Sequence, residues 1–162
     1  MQLKENGLLK MTDEIKPPLW LLLELTHKCP LECTYCYNQL DFASTKDAMS
    51  TEDWFRVMEE AREMGAVQLG ISGGEPLLHK GLVEIVQKAT DLKFYTNLIT
   101  SGVGADISIL QKLKDAGLKT IQLGIQSHNE NTMTLITNSR NAYKDKIAFA
   151  KEATRLGIQL IV

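Results

Sequence analysis

Three cysteines stand close together in the first quarter of the chain, and their thiols are its most distinctive chemical groups. They are Cys29, Cys33 and Cys36, in a C-x3-C-x2-C spacing, and the 162 residues contain no other cysteine. An odd number of cysteines within one short loop is a poor basis for disulfide pairing. Thiolates are soft ligands that suit iron–sulfur clusters and zinc, so this spacing indicates a metal centre.

The number of cysteines narrows the kind of metal centre. Structural zinc and an electron-transfer cubane each take four protein ligands, whereas three thiolates on a cubane leave one iron open, as a catalytic site requires. His27 or His79 would complete a zinc site of three cysteines and one histidine. The spacing of these residues in the sequence does not exclude this alternative. We predict an iron–sulfur cluster held by the three cysteines.

Two other groups of residues lie at the ends of predicted strands. In Ser72–Pro76 (SGGEP) two adjacent glycines let the backbone pass close to a ligand and present N–H and C=O groups to it. Thr96 and Asn97 end the third predicted strand, where polar side chains reach the carboxyl face of a barrel. The alternatives are a simple tight turn for the glycines and strand-end capping for Thr96 and Asn97.

The hydrophobic pattern predicts alternating strands and helices that would position these residues. The near-continuous apolar run over 19–26 is typical of a strand buried on both faces. Ser50 and Asp53 are spaced as a capping box at a helix start, and Gly65 suits the end of that helix. The predicted strands are 19–26, 67–72, 93–99, 120–126 and 158–162, and the predicted helices are 51–64, 80–90, 106–116 and 141–156.

This alternation indicates an α/β fold with a parallel sheet and right-handed crossovers. Five strands fit either a doubly wound sheet or part of a (β/α) barrel, since a full eight-stranded barrel takes about 250 residues. The fifth strand reaches Val162 without a turn or cap, so we expect a chain truncated at about this strand. Residues 1–16 are polar and weakly patterned and are expected to form a flexible tail, with 17–162 as the core.

Composition excludes several functions. The net charge is −2 with no basic block, so we expect no nucleic-acid partner. No apolar run approaches the roughly 18 residues of a membrane span, and the N-terminus lacks a signal-peptide core, so we expect a cytoplasmic protein. No Ser–His–Asp or paired-carboxylate arrangement supports hydrolysis, and no acid–base residue can be assigned.

The cysteine spacing, with an aromatic residue before the last cysteine and a buried strand before the first, resembles the signature of the radical SAM superfamily. The resemblance implies a partial (β/α) barrel with a parallel sheet and outer helices. It also implies a 4Fe–4S cluster on Cys29, Cys33 and Cys36, whose open iron chelates S-adenosylmethionine (SAM). Reduction of SAM by one electron then yields a 5′-deoxyadenosyl radical that abstracts hydrogen from the substrate.

The resemblance also implies which residues bind SAM. Tyr35 matches the aromatic position near the adenine, and Glu75 belongs to a GGEP motif that binds the methionine amino group. Thr96 begins a T-N-G pattern in which Leu98 replaces the glycine. Gln126 is expected to supply the ribose contact, because Gly124 stands where many relatives have serine. The complete set is Tyr35, Gly73, Gly74, Glu75, Thr96, Asn97 and Gln126.

Three longer stretches, LWLLLELTHKCPLECTYCYN, SGGEPLL and FYTNLITSGVG, are similar to one subfamily, the radical SAM enzyme of pyrroloquinoline quinone (PQQ) biosynthesis. That similarity implies crosslinking of a glutamate and a tyrosine in a ribosomal precursor peptide. It implies a small peptide-chaperone and a flavodoxin- or ferredoxin-type reductant as partners. The segment Leu3–Lys10 resembles the tail of such a chaperone, which suggests Met11 as the native start.

Two features of the sequence depart from that subfamily. Tyr37-Asn38-Gln39 stands where it usually has Ser-Asn-Pro, and Gln126–Asn131 departs from its acidic pattern. Another radical SAM peptide maturase and a non-catalytic iron–sulfur-binding fragment are therefore the alternatives. The subfamily also carries a cysteine-rich C-terminal domain with auxiliary clusters, which these residues lack, so we expect the chain alone not to crosslink a peptide.

Overall fold

The computed structural model describes residues 17–38 and 46–162. The predicted tail over 1–16, including the chaperone-like segment and Met11, lies outside these ranges. In chain order the elements are β1 (Trp20–Glu24), α1 (Thr51–Glu63), β2 (Gln68–Ser72), the 3₁₀ turn Pro76–Leu78, α2 (Leu82–Asp91), β3 (Tyr95–Thr100), α3 (Ile109–Asp115), β4 (Thr120–Leu123), α4 (Glu130–Thr137), α5 (Ala142–Arg155) and β5 (Gln159–Ile161). Within the described ranges no helix has both the length and the apolar character needed to cross a membrane.

The sheet consists of parallel strands in the order β1-β2-β3-β4-β5. Each strand lies beside the one that precedes it in the chain. In a doubly wound sheet, the order in which successive strands are added would instead reverse at a switch point. The strand order therefore confirms the predicted α/β fold and identifies the sheet as a segment of a (β/α) barrel rather than a doubly wound domain.

The two faces of the sheet have different surroundings. Leu23, Leu69 and Leu98 lie in the main hydrophobic core with the helices. Trp20 and Leu22 alternate with the core residues of β1 and are 47% and 37% exposed. The prediction that this strand is buried on both faces is therefore wrong, because the pleat turns these two side chains to the face opposite the helices.

The first helix begins and ends as predicted. Ser50 Oγ accepts a hydrogen bond from the Asp53 backbone N–H at 3.1 Å, and the Asp53 carboxylate accepts one from the Ser50 N–H at 3.0 Å. This reciprocal pair is a capping box. Gly65 follows with φ of +103°, the left-handed conformation that ends many helices.

The structure differs from the predicted pattern in several places. Helix α3 is shorter than the predicted 106–116, and β4 ends at Leu123 rather than at 126. Strand β3 begins at Tyr95 rather than at 93, because Lys93 has φ of +64° and the Phe94 N–H still bonds back to α2. Helix α4 is absent from the prediction. Its eight residues bury only Met133 and Thr137, so they show no apolar stripe of the kind that indicates a helix.

Candidate functional site

A cleft of about 420 Å³ lies where the strands end at the carboxyl edge of the sheet. This edge is where β/α barrels place their active sites. The loop after β1 brings Cys29, Cys33 and Cys36 to the cleft. The other elements bring Ser72–Gly74, Thr100, Ser101, Gly124–Gln126 and Lys146. The fold thus places the three cysteines, the two glycines and Gln126 around one space, although they are far apart in sequence.

The two glycines hold the start of the cysteine loop by backbone contact. The Gly74 N–H donates to Thr26 O at 2.6 Å, and the Glu75 N–H donates to Lys28 O at 2.8 Å. A Cβ atom on Gly73 would lie 2.6 Å from Thr26 O, and one on Gly74 would lie 2.5 Å from Lys28 O. Only glycine permits this approach, so the Gly-Gly turn sets the position of the loop that carries the cysteines.

Helix α4 supports the cysteine loop from the other side. The Thr34 N–H donates to Ile136 O at 2.9 Å, and the Glu32 N–H donates to Thr137 O at 3.3 Å. These carbonyls lie in the last turn of α4, where helical carbonyls have no partner within the helix. Asn138, which follows the helix, donates from its side chain to the Glu32 carboxylate at 2.7 Å. The helix that sequence periodicity missed is therefore a docking element for the loop.

The thiols of the loop are free and differ in exposure. Cys29 and Cys33 are half-buried, whereas Cys36 is exposed. Burial raises the pKa of Cys29 and of Cys33, and charge repulsion from the other cysteines adds to it. These thiols are therefore mainly protonated at neutral pH in the metal-free protein. Metal binding would have to displace their protons.

The donor set fits a cluster better than a single ion. Over 17–38 and 46–162, no group of three His, Cys, Asp or Glu side chains is placed to hold one metal ion. A cubane binds each thiolate through a different iron, so its sulfurs need not converge on one point. The Nδ1 of His79, a candidate zinc ligand, already accepts a hydrogen bond from the Gly81 N–H at 3.2 Å. Three free thiols in one cleft therefore fit a 4Fe–4S cluster with an open iron.

Glu75 lies beneath the cleft rather than in its lining. Its side chain is 0% exposed. The carboxylate accepts hydrogen bonds from the Thr100 hydroxyl at 2.5 Å, from the Ser101 N–H at 2.8 Å and hydroxyl at 2.5 Å, and from the Leu77 N–H at 3.1 Å. Burial raises the pKa of Glu75, and these hydrogen bonds oppose that rise. These hydrogen bonds join the Gly-Gly turn to the end of β3.

Thr96 and Asn97 do not end the third strand, so that prediction is wrong. Strand β3 continues to Thr100, which leaves both residues near its amino end. Thr96 is buried and accepts a hydrogen bond from the Lys119 N–H at 3.2 Å, while Asn97 bonds to Thr120 and Gln122. Neither residue lines the cleft. Thr100 and Ser101 take the strand-end position there, because the strand starts and ends later than the pattern indicates.

Tyr35 and Gln126 both line the cleft, as their expected functions require. Burial, together with the nearby Cys33 thiol, raises the pKa of Tyr35 to about 12, so its phenol stays protonated at neutral pH. The side-chain oxygen of Gln126 accepts a hydrogen bond from Lys146 Nζ at 3.2 Å.

Lys146 is a site residue that motif matching does not find. Its side chain is only 1% exposed, and its Nζ donates to Gly124 O at 2.5 Å as well as to Gln126. Burial lowers the pKa of Lys146, and the charges of Cys33, Glu75 and Cys29 oppose that change. One signal exists in the sequence. The buried residues of α5 recur at helical spacing, and Lys146 occupies one of these positions between Ala142 and Phe149.

Known proteins share both the sequence pattern and the fold. The sequence profile of the Radical SAM superfamily matches residues 23–162, and the chain belongs to this superfamily. The cofactors of the superfamily are a 4Fe–4S cluster and SAM.

Three solved structures illustrate the likeness in fold. Streptococcus suis SuiB bound to the precursor peptide SuiA matches with a TM-score of 0.79 and 23% identity, covering 90% of this chain and 32% of that chain. SuiB bound to S-adenosylmethionine matches with a TM-score of 0.76 and 22% identity over the same shares. Native anSMEcpe with bound AdoMet matches with a TM-score of 0.71 and 19% identity, covering 88% and 42%. The chain spans about a third of the length of the SuiB chains.

Proposed function

We propose that this chain binds a 4Fe–4S cluster through Cys29, Cys33 and Cys36 and binds SAM in the adjoining cleft, as part of a radical SAM enzyme. The observation that carries the proposal is the cleft itself, which brings three free thiols and the Gly-Gly turn together at the carboxyl edge of a parallel sheet. No fourth cysteine exists in the chain to close the cluster. One iron therefore remains available to SAM.

The residues of the cleft divide the work of binding SAM in this proposal. When bound, the cluster supplies one electron to the sulfonium of SAM, which yields methionine and a 5′-deoxyadenosyl radical. The backbone groups of Gly73 and Gly74 receive the methionine amino group. Tyr35 packs near the adenine and Gln126 bonds the ribose, and both side chains line the cleft. Glu75 contributes by holding the Gly-Gly turn in place.

Anaerobic reconstitution with iron and sulfide tests this proposal. We expect about four irons per chain, and a reduced cluster whose EPR signal changes when SAM is added. Cys29→Ser, Cys33→Ser and Cys36→Ser should each lose most of this iron. Thr34→Ala is the matched control in the same loop, because only its backbone N–H makes a hydrogen bond within the described residues. Bound zinc, or a cluster indifferent to SAM, would contradict the proposal and favour a non-catalytic metal module.

We further propose that the substrate is a ribosomal peptide, and specifically that the reaction is the Glu–Tyr crosslink of PQQ biosynthesis. The support is twofold: the sequence similarity of the cysteine loop and β3 to that subfamily, and the fold shared with a SuiB structure that holds a precursor peptide. A small peptide-chaperone and a flavodoxin- or ferredoxin-type reductant are the partners that this reaction implies. SAM-dependent crosslinking makes the peptide lighter by two hydrogen atoms, which mass spectrometry detects.

A different peptide maturase is the second candidate, and Tyr37 favours it. Its hydroxyl donates to the Glu24 carboxylate, and its ring lines the cleft. The PQQ subfamily usually has serine at this position, so we expect the lining of the cleft to differ from that subfamily here. Offering peptides with and without the Glu and Tyr pair distinguishes the two candidates. Modification of a peptide that lacks either residue would exclude the PQQ reaction and retain a sister maturase.

A further inference from the structure

Lys146 is a buried cation that forms no direct ion pair with a carboxylate among the described residues. Its side chain is 1% exposed, and the ion pairs within those ranges do not include it. Lysine is almost never fully buried unless it is paired, because desolvation of an ammonium is costly. A bound group that carries negative charge would explain why this position holds lysine.

The contacts of Lys146 fix its ammonium at the edge of the cleft. Nζ donates to Gly124 O at 2.5 Å and to the Gln126 side-chain oxygen at 3.2 Å, both in the segment after β4. An ammonium has three N–H donors, and the described residues accept from two of them. Neither acceptor carries a formal charge. The buried Glu75 carboxylate attracts the Lys146 ammonium electrostatically, but it forms no ion pair with Lys146 among the described residues, so the positive charge is offset only in part.

The cysteine loop lies against the same part of the fold. Cys29 and Cys33 pack on a small core that contains Ala142, the first residue of α5, and Met133 of α4. Lys146 is one helical turn further along α5 and lines the cleft with all three cysteines. The structure therefore places the ammonium beside the loop whose thiolates would hold the cluster.

We propose that Lys146 supplies the positive charge that makes a cluster on Cys29, Cys33 and Cys36 easier to reduce. This proposal rests on the proposed function. A cubane with three thiolates is a net anion, and its reduction by one electron from a low-potential donor adds further negative charge. The reduction potential of such clusters depends on nearby charge, hydrogen bonds and solvent exposure. Lys146 is a positioning residue in this account, because it acts through the electrostatics of the cleft.

The test is an anaerobic redox titration of the reconstituted 162-residue chain without SAM, followed by EPR. Lys146→Met should lower the equilibrium constant for one-electron reduction about tenfold, which corresponds to a midpoint potential about 59 mV lower. Lys146→Arg should keep the potential of the wild type. Lys144→Met is the matched control, because it removes the same charge from an exposed position on the same helix.

Other outcomes separate this proposal from its alternatives. An unchanged potential in Lys146→Met with weaker SAM binding would overturn it and assign the ammonium to SAM. Lys146→Gln keeps a hydrogen-bond donor without the charge, and it should also lower the potential. Failure of both the Met and Gln variants to fold would overturn the proposal in favour of a structural function. A wild type that binds no cubane would instead refute the proposed function itself.

Discussion

Gly74→Ala is the substitution for which the structure makes the sharpest prediction. The new Cβ would lie 2.5 Å from Lys28 O and 2.6 Å from His27 O, closer than such atoms pack. Both are backbone atoms, so no side-chain rotation can relieve the contact. Gly74 does not have a positive φ, so alanine brings no intrinsic backbone strain at this position. The effect therefore measures the close approach alone.

The expected cost follows from the contacts that must separate. If the loop moves away, the hydrogen bonds from the Gly74 N–H to Thr26 and from the Glu75 N–H to Lys28 are lost. Each contributes about 1 kcal/mol, and overpacking of this kind costs about 1–3 kcal/mol. We expect the free energy of unfolding to fall by about 3–5 kcal/mol in all. A chain of this size should then lose roughly 6–20 °C in Tm.

Urea denaturation of the metal-free chain measures this stability, and iron content after reconstitution reports the loop. We expect Gly74→Ala to lose stability and to retain less iron than the wild type. Gly157→Ala is the matched control, because Gly157 has φ of +72° but a Cβ added there would meet no atom within 4 Å. It should cost only about 1–2 kcal/mol of backbone strain and leave the iron content unchanged. The reasoning is refuted if Gly74→Ala unfolds within about 0.5 kcal/mol of the wild type and binds iron fully.

Three further predictions concern the supports of the cleft. Glu75→Ala leaves the buried donors of Leu77 and Ser101 without acceptors, so urea denaturation should show a loss of about 3 kcal/mol or more. Met133→Ala should lower the free energy of unfolding by about 2–5 kcal/mol, because it opens a cavity under the cysteine loop. The control is Leu135→Ala on the same helix, where Leu135 is 77% exposed, and it should change stability by less than about 0.5 kcal/mol. Equal effects of the two substitutions would contradict the assignment of the buried face. The pKa of Asp47 lies below its usual 3.8. Burial opposes this lowering, but the hydrogen bond from the Thr26 hydroxyl and the charge of the Lys28 ammonium outweigh burial. The Asp47 carboxylate therefore stabilises the fold when the pH is above its pKa. The advantage of the wild type over Asp47→Asn should therefore disappear as the pH falls through the lowered pKa, and an advantage that persists in strong acid would contradict this.

Helix α4 shows how a short element can matter more than its sequence suggests. It contributes two backbone acceptors to the cysteine loop and buries Met133 against Leu31, Cys29 and Cys33. Its amino end begins at Asn129, whose side chain accepts from the Thr132 N–H at 3.0 Å. Such a helix gains most of its stability from tertiary contact rather than from its own propensity. Local periodicity therefore carries little information about it.

A sequence motif does not indicate which partners a buried polar side chain contacts in the folded protein. The GGEP motif indicates a Gly-Gly turn, and both glycines line the cleft, yet the Glu75 carboxylate is buried and bonds to Thr100 and Ser101 at the end of β3. The motif contains no information about that direction, because Thr100 and Ser101 are 25 and 26 residues away in sequence. The same is true of Lys146, whose partners Gly124 and Gln126 belong to another element. A hydrogen-bond network across elements exists only after the strands have paired.

The sequence by itself determined the class of fold, the strands, most of the helices and the capping box of α1, and it predicted the three cysteines as a metal-binding group. These features depend on local spacing, on hydrophobic period and on ligand chemistry, all of which are readable along the chain. The tertiary structure decided which polar side chains reach the cleft. Strand β3 ends at Thr100, so Thr100 and Ser101 stand at the cleft instead of Thr96 and Asn97, because only the carboxyl ends of parallel strands meet there. The burial of Lys146 beside the cysteine loop likewise arises from the packing of α5 on the sheet, which no single segment specifies.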